Sequence, residues 1–212
     1  VTEPFPAALH IAIVDDNAAL RESLTWLFES VGLAPVAYPD GESFLAAAPE
    51  HHDVILLDVR MPGLSGLQVQ QRLVERGDVT SLIFMTGHGD VPMAVSALKA
   101  GAFDFVEKPF NQQQLIDLVQ RAADTSRRRQ RERACLSALH ERFAGLRPKE
   151  QAILVHVAEG LTSREIAAHL EISAKTVEIY RLRAMKALGA ANLAELVRLV
   201  TALGLVPSLP DA

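Results

Sequence analysis

His10-Ile11-Ala12-Ile13-Val14-Asp15-Asp16 is the stretch that decides the fold: an apolar run of strand length closed by two adjacent acids. Such a run, without the polar alternation of a half-solvated strand, suits a parallel sheet covered on both faces. Four more runs of the same kind follow, at Ala34–Tyr38, Val54–Leu57, Leu82–Met85 and Phe103–Val106. The intervals between them have helical period. In the first, Leu20, Leu24, Leu27, Phe28 and Val31 fall at i, i+4, i+7, i+8 and i+11, one apolar stripe, and Gly32 stops the helix. Five strand–helix repeats within about 115 residues predict an α/β domain, a five-stranded parallel sheet with helices on both faces.

In open parallel sheets ligands bind beyond the carboxyl ends of the strands. Asp15 and Asp16 close the first strand, Asp58 the third, Thr86 the fourth, and Lys108 follows the fifth within Glu107-Lys108-Pro109. Singly, each acid serves equally well as a loop or cap residue. Together they would repel unless a hard divalent cation neutralised them, and Mg2+ is the expected ion. The set permits phosphoryl transfer to a carboxylate: Asp58 attacks, Mg2+ and Lys108 screen the phosphoryl oxygens, and Thr86 donates to the new group.

Beyond Val119 the character changes. Arg127-Arg128-Arg129-Gln130-Arg131-Glu132-Arg133 has no core-forming face and reads as a continuation of the preceding helix or as a solvated linker. From Glu141 no strand pattern remains; helices are expected at Lys149–Glu159, Ser163–Leu170, Ala174–Leu188 and Leu193–Leu203, an all-α four-helix domain. Thr162-Ser163-Arg164-Glu165 is a capping box, and Ser173 caps the next helix after a short turn. Two helices so joined form a helix-turn-helix, whose second member lies in the DNA major groove. That helix carries Lys175, Arg181, Arg183 and Lys186 against Glu178, with Val177, Tyr180, Ala184 and Leu188 on its apolar face. The last helix presents Leu193, Leu196, Val197, Val200 and Leu203, for core packing or for contact with a second copy.

The chain of 212 residues is 49% hydrophobic and 22% charged, and its net charge of −5 hides an uneven distribution. Residues 1–120 hold 16 acids against 6 bases, and residues 121–212 hold 10 against 15. The split suggests a domain that handles cations or phosphoryl groups tied to one that meets a polyanion, although solvated faces carry charge as well. Six of the arginines lie between Arg121 and Arg133, so the DNA reading rests on how Lys175, Arg181, Arg183 and Lys186 are placed. One cysteine, Cys135, excludes an intramolecular disulfide and a thiolate zinc site and fits a reducing cytoplasm. The apolar runs are too short to span a membrane, and the opening Val1-Thr2-Glu3-Pro4 has no secretion-signal pattern.

The set Asp15-Asp16, Asp58-Val59-Arg60-Met61-Pro62-Gly63, Thr86-Gly87 and Lys108-Pro109-Phe110 resembles the receiver domain of bacterial two-component response regulators. The resemblance implies a flavodoxin-like fold over residues 9–124, with Asp58 as phosphoacceptor. It implies Mg2+ on Asp16 and Asp58 with help from Asp15 and the Arg60 carbonyl, Lys108 on the phosphoryl group, and a cis Lys108–Pro109 bond. Thr86 and Phe105 become the switch pair. His88 and Arg60 lie where the family tunes dephosphorylation, though an exposed polar residue is as fitting there. Met85 to Val95, followed by Lys99-Ala100-Gly101-Ala102, looks like the FixJ branch.

Residues 141–206 are similar to the LuxR-type DNA-binding domain in Leu146-Arg147-Pro148-Lys149-Glu150, Gly160 to Ala167, Ile172 to Glu178 and Leu188-Gly189-Ala190. Carried over by position, Glu178, Ile179 and Leu182 face base edges. Lys175, Thr176, Arg181 and Arg183 hold phosphates or neighbouring bases, with Lys149 and Arg164 as further phosphate contacts. The sequence departs from the pattern at Arg147, usually a Thr or Ser cap, at Glu171, often a turn Gly, and at Ala187, usually Lys. Residues 125–140 become an Arg-rich helical linker. The combined resemblance implies a cytoplasmic transcription regulator that catalyses only its own phosphorylation and dephosphorylation. Its partners would be a sensor histidine kinase, promoter DNA, RNA polymerase and, once phosphorylated, a second copy of itself. A receiver working without phosphorylation and a carboxylate-dependent phosphohydrolase are the alternatives.

Overall fold

The computed structural model describes residues 9–47, 52–87 and 91–205. The chain divides into two compact units between Gln130 and Arg131. In the first, β1 (His10–Val14), β2 (Ala34–Tyr38), β3 (Val54–Asp58), β4 (Ser81–Thr86) and β5 (Asp104–Glu107) alternate with helices. These are α1 (Ala18–Ser30), α2 (Gly41–Ala46), α3 (Gly66–Glu75), α4 (Val91–Lys99) and α5 (Gln112–Ala144), the last continuing past Gln130 into the second unit. The strands make one parallel sheet in the order β2-β1-β3-β4-β5, so the chain reverses direction across the sheet between β1 and β3. A crevice opens at such a reversal, beyond the carboxyl ends of the strands.

The continuous apolar strands are explained by their two faces. Along β1, Ala12 and Val14 enter one core with Ile55, Leu57, Val69 and Phe84, while Ile11 and Ile13 enter the other with Phe28, Leu56, Ile83, Met85, Leu115 and Val119. Each large side chain so buried contributes roughly 1.5–3 kcal/mol. Pro35 is tolerated because β2 is an edge strand, where a missing N–H breaks no ladder. The five expected strands are all present, three of them with ends shifted by a residue.

The arginine-rich run resolves in favour of helix. α5 buries Leu115, Val119, Ala122 and Ala123 and continues to Ser126, whose hydroxyl accepts the Ser81 N–H at 2.7 Å. Arg127 Nε then reaches Asp53 Oδ1 at 2.8 Å, while Asp53 Oδ2 accepts the His10 N–H at 2.9 Å. The amino-terminal ends of β1, β3 and β4 are thereby pinned to α5. Arg127→Ala should cost the first unit about 2 kcal/mol, because it leaves Asp53 largely buried without its cation. Urea unfolding checks this, and an unchanged midpoint would reduce the pair to decoration. Residues 131–138, by contrast, are exposed on every side.

In the second unit α6 (Pro148–Ala158), α7 (Ser163–His169), α8 (Ala174–Leu188) and α9 (Leu193–Ala202) enclose Ile153, Leu154, Ile166, Val177, Ala184, Leu188, Leu196 and Val200, joined by Leu139 of α5. Leu196, Val200 and Leu203 are therefore core residues, while Leu193 is half exposed. Among the described residues no helix is long and apolar enough to cross a membrane.

Candidate functional site

Parallel register brings the ends of β1 and β3 together. Val14 pairs with Leu57, so Asp15 and Asp58 follow side by side, and carboxylate oxygens of Asp15, Asp16 and Asp58 lie within 4.8 Å of one another. Asp15 is fully buried, Asp58 nearly so, and Asp16 exposed. Lys108 enters from the end of β5: its Nζ donates to Asp15 Oδ2 at 2.7 Å and to Asp58 Oδ1 at 3.0 Å. The Lys108–Pro109 bond is cis, and the Lys108 N–H donates to the Thr86 carbonyl at 2.7 Å, tying the lysine's backbone to the end of β4.

Thr86 is buried at that end, and Phe105, opposite Phe84 in the register, packs half-buried against the core that includes Ala97. Arg60 is exposed in the loop after β3. His88 lies outside the described residues.

Three residues that hold the site were not singled out in the sequence. Asn17 donates its N–H to Asp15 Oδ1 at 2.8 Å and caps α1 by accepting the Leu20 N–H. An Asn before an apolar-periodic run is a legible helix start. Arg21 donates to the Asp15 carbonyl at 2.6 Å, six residues away, a spacing with no local signal. Gly66 donates its N–H to the Val59 carbonyl at 3.1 Å, where a β-carbon would collide with the Asp58 carbonyl.

Burial pushes the Asp58 carboxyl above its usual range; the Lys108 ammonium pulls it back, and the charges of Asp15 and Asp16 add to the rise. Burial also works against the charged form of Lys108, but its bonds to Asp15 and Asp58 outweigh this and hold it above its ordinary value. A carboxyl raised in the fold contributes stability that is complete below its unfolded value near 3.8 and is lost as pH rises through the folded value. Ionised Asp58 thus weighs against the fold at neutral pH. Asp58→Asn should accordingly melt a few degrees higher than the parent at pH near 7 in metal-free buffer. The gap should close as pH approaches about 4, and thermal melts across pH test it.

Three clustered carboxylates against one ammonium leave an uncompensated double negative charge, and the donor set is oxygen throughout. That chemistry fits a hard divalent cation.

In the second unit the capping box is formed: the Thr162 N–H donates to Glu165 Oε2 at 2.7 Å, and the Glu165 N–H to Thr162 Oγ1 at 3.4 Å. The bond from the Thr162 N–H holds Glu165 below its usual range. Ser173 caps α8 by accepting the Thr176 N–H at 3.0 Å. Between α7 and α8, Glu171 takes a left-handed φ of 53°, at the position where the resembled pattern often has glycine, at a cost of roughly 1 kcal/mol. Arg147 caps α6 without a hydroxyl, its N–H donating to Glu150 Oε2 at 3.0 Å.

On α8, Val177, Ala184 and Leu188 are buried, whereas Lys175, Ile179, Leu182, Arg183 and Lys186 are exposed. Thr176 is half-buried, and its Oγ1 lies 2.7 Å from Ser173 Oγ. Lys149 and Arg164 are exposed in the first turns of α6 and α7. Glu178 is occupied within the pair of helices: Ser163 Oγ donates to its Oε1 at 2.5 Å and Arg181 Nη2 to its Oε2 at 2.8 Å.

A doubly wound parallel unit with an acid pocket is thus joined in one chain to a helix-turn-helix unit, the architecture of a two-part regulator. Residues 11–120 match the family model described as response regulator receiver domain, and residues 144–200 match bacterial regulatory proteins, luxR family. The chain belongs to the two-component response regulators that join a receiver to a LuxR-type DNA-binding domain, and it is a transcription regulator. Within that family it is FixJ-like. It is 42% identical to the transcriptional regulatory protein FixJ of Azorhizobium caulinodans, over 96% of this chain and 97% of that one. It is also 42% identical to nodulation protein W of Bradyrhizobium diazoefficiens, over 92% and 86%. The solved structure of the response regulator StyR superimposes with a TM-score of 0.79 at 35% identity, covering 92% of this chain and 99% of that one.

Proposed function

We propose that Asp58 accepts a phosphoryl group from the phosphohistidine of a partner kinase and that this acyl phosphate controls promoter binding by the second unit. The observation that carries the reading is Lys108 Nζ bridging Asp15 and Asp58 at the sheet's carboxyl edge. A carboxylate oxygen of Asp58 forms the new P–O bond as the P–N bond to the donor breaks. Asp15, engaged by Asn17 and Lys108, stays fixed meanwhile. The Lys108 ammonium meets the phosphoryl oxygens, and the Thr86 hydroxyl donates to one of them. Thr86 and Phe105 are the switch pair, through which the surface near β5 changes.

Mg2+ would be held by Asp15, Asp16 and Asp58 with the Arg60 carbonyl, and when bound it supplies positive charge against the phosphoryl oxygens. The chain acts on no substrate besides its own aspartyl group. It works in the cytoplasm, dimerises when phosphorylated, and meets RNA polymerase at the promoter. Residues 9–124 form the receiver, 125–140 the linker and 141–206 the DNA-binding domain. Exposed Lys149, Arg164, Lys175, Arg183 and Lys186 supply phosphate contacts, with Thr176 and Arg181 beside them.

Full-length protein with Mg2+ and a small acyl phosphate should double in mass by light scattering and protect a promoter duplex that the untreated protein binds more weakly. Affinity should fall at least ~100-fold between about 50 and about 200 mM salt as phosphate contacts are lost. An unchanged mass and footprint would defeat the phosphorylation reading, and binding indifferent to salt would defeat the DNA contacts.

A further inference from the structure

The second unit carries an apolar pair on its exposed surface that lies outside the unit's core. Ile179 is 43% and Leu182 62% exposed. With Lys175 and Lys186 they fall at i, i+4, i+7 and i+11, one stripe of α8 opposite the buried face of Val177, Ala184 and Leu188. A lysine therefore stands at each end of an apolar centre. The acid beside the stripe is already engaged, since Glu178 takes one bond from Ser163 of α7 and one from Arg181 of α8. It braces the two helices.

We infer that Ile179 and Leu182 read thymine by its 5-methyl group in the major groove, with Lys175 and Lys186 on flanking phosphates and Glu178 positioning α8 against α7. This rests on the reading of α8 as the groove helix and adds the base chemistry it recognises. In the major groove thymine alone presents a methyl, and an aliphatic side chain that covers it removes apolar surface from water on both partners. Two lysines fit the polyanion on either side of that contact, and an aliphatic partner protein would leave their charge unanswered. The stripe thus commits α8 to A·T pairs at the positions under Ile179 and Leu182.

The test uses full-length protein and a random duplex pool. After selection, thymines of the enriched sequence are replaced singly by deoxyuridine, which keeps the pairing and lacks the methyl. At two positions in each half-site the replacement should weaken binding 2- to 5-fold, as expected for roughly one buried methyl. Leu182→Ala should erase the penalty at one position and Ile179→Ala at the other. Both sites are exposed, so the variants should keep the parent's melting midpoint. Strong enrichment with no deoxyuridine penalty would overturn the inference while leaving DNA binding intact. No enrichment at all would overturn the groove-helix reading itself. Variants that alter mass but keep the deoxyuridine penalty would assign the pair to contact between copies and also overturn it.

Discussion

Asp58→Asn protein, mixed with Mg2+ and a small acyl phosphate, should acquire no phosphoryl group where the parent approaches one per chain. The amide has no anionic oxygen to attack phosphorus, so the loss is of the reaction itself, at least ~10³-fold in rate. The variant remains folded, because its amide oxygen still accepts from Lys108, which keeps its bond to Asp15. Intact-mass spectrometry reads the outcome, and melting in parallel shows the fold unharmed. Asp16→Asn should slow the reaction yet leave it measurable, since Asp16 is exposed at the pocket's rim. Labelling of Asp58→Asn at the parent's level would move the acceptor elsewhere in the chain. Loss of labelling with an unaltered response to the phosphodonor in mass and DNA binding would point instead to a receiver that works without phosphorylation.

Gly66→Ala should produce the largest stability loss of any single methyl added to the first unit. Gly66 opens α3 directly behind the acceptor: its N–H holds the Val59 carbonyl at 3.1 Å, and a β-carbon there would overlap the Asp58 carbonyl oxygen and stand 3.0 Å from the Phe84 ring. Neither neighbour can yield, one being backbone and the other a fully buried aromatic. Relief requires moving α3 away from the β3 end, at about 2–4 kcal/mol. For a unit of this size that is on the order of 10–20 °C in melting midpoint. The shift should be confined to the first unit's transition. Acyl phosphate uptake should fall as well, because Asp58 sits on the displaced backbone. A variant melting within a degree of the parent would mean that the loop is looser than this packing implies.

The fold was legible because its signals are local. Runs such as Ile11–Val14 and Val54–Leu57 announce strands buried on both faces, and Thr162 with Glu165 announces a helix start, within a few residues of chain. The acid cluster was legible because a parallel sheet places all strand ends at one edge; Asp15 and Asp58 meet there because β1 and β3 are neighbours in the sheet. The supports of that cluster depend on distance in space alone. The bond from Arg21 to the Asp15 carbonyl and the approach of Gly66 to Asp58 leave no periodic trace. The same holds for Ser126 and Arg127, which grip Ser81 and Asp53 across 45 and 74 residues. An arginine run without an apolar face could equally continue a helix or float, and those two contacts tie its first turn to the sheet. On α8 the basic residues were visible together, but sequence could not tell that Arg181 bonds Glu178 while Lys175 and Lys186 are exposed.

The exposed stretch 131–138 of α5 has a consequence for how the chain melts. Eight residues of helix in water, cysteine and serine among them, are far below the length at which a peptide holds its own turns. Their helicity is borrowed, templated from one side by turns that Leu115, Val119 and Ser126 anchor and from the other by turns that Leu139 anchors. Loss of either core would remove one template. Amide exchange at Ala134 and Cys135 should then quicken before the surviving core loosens, making this short span a reporter on the integrity of both units at once.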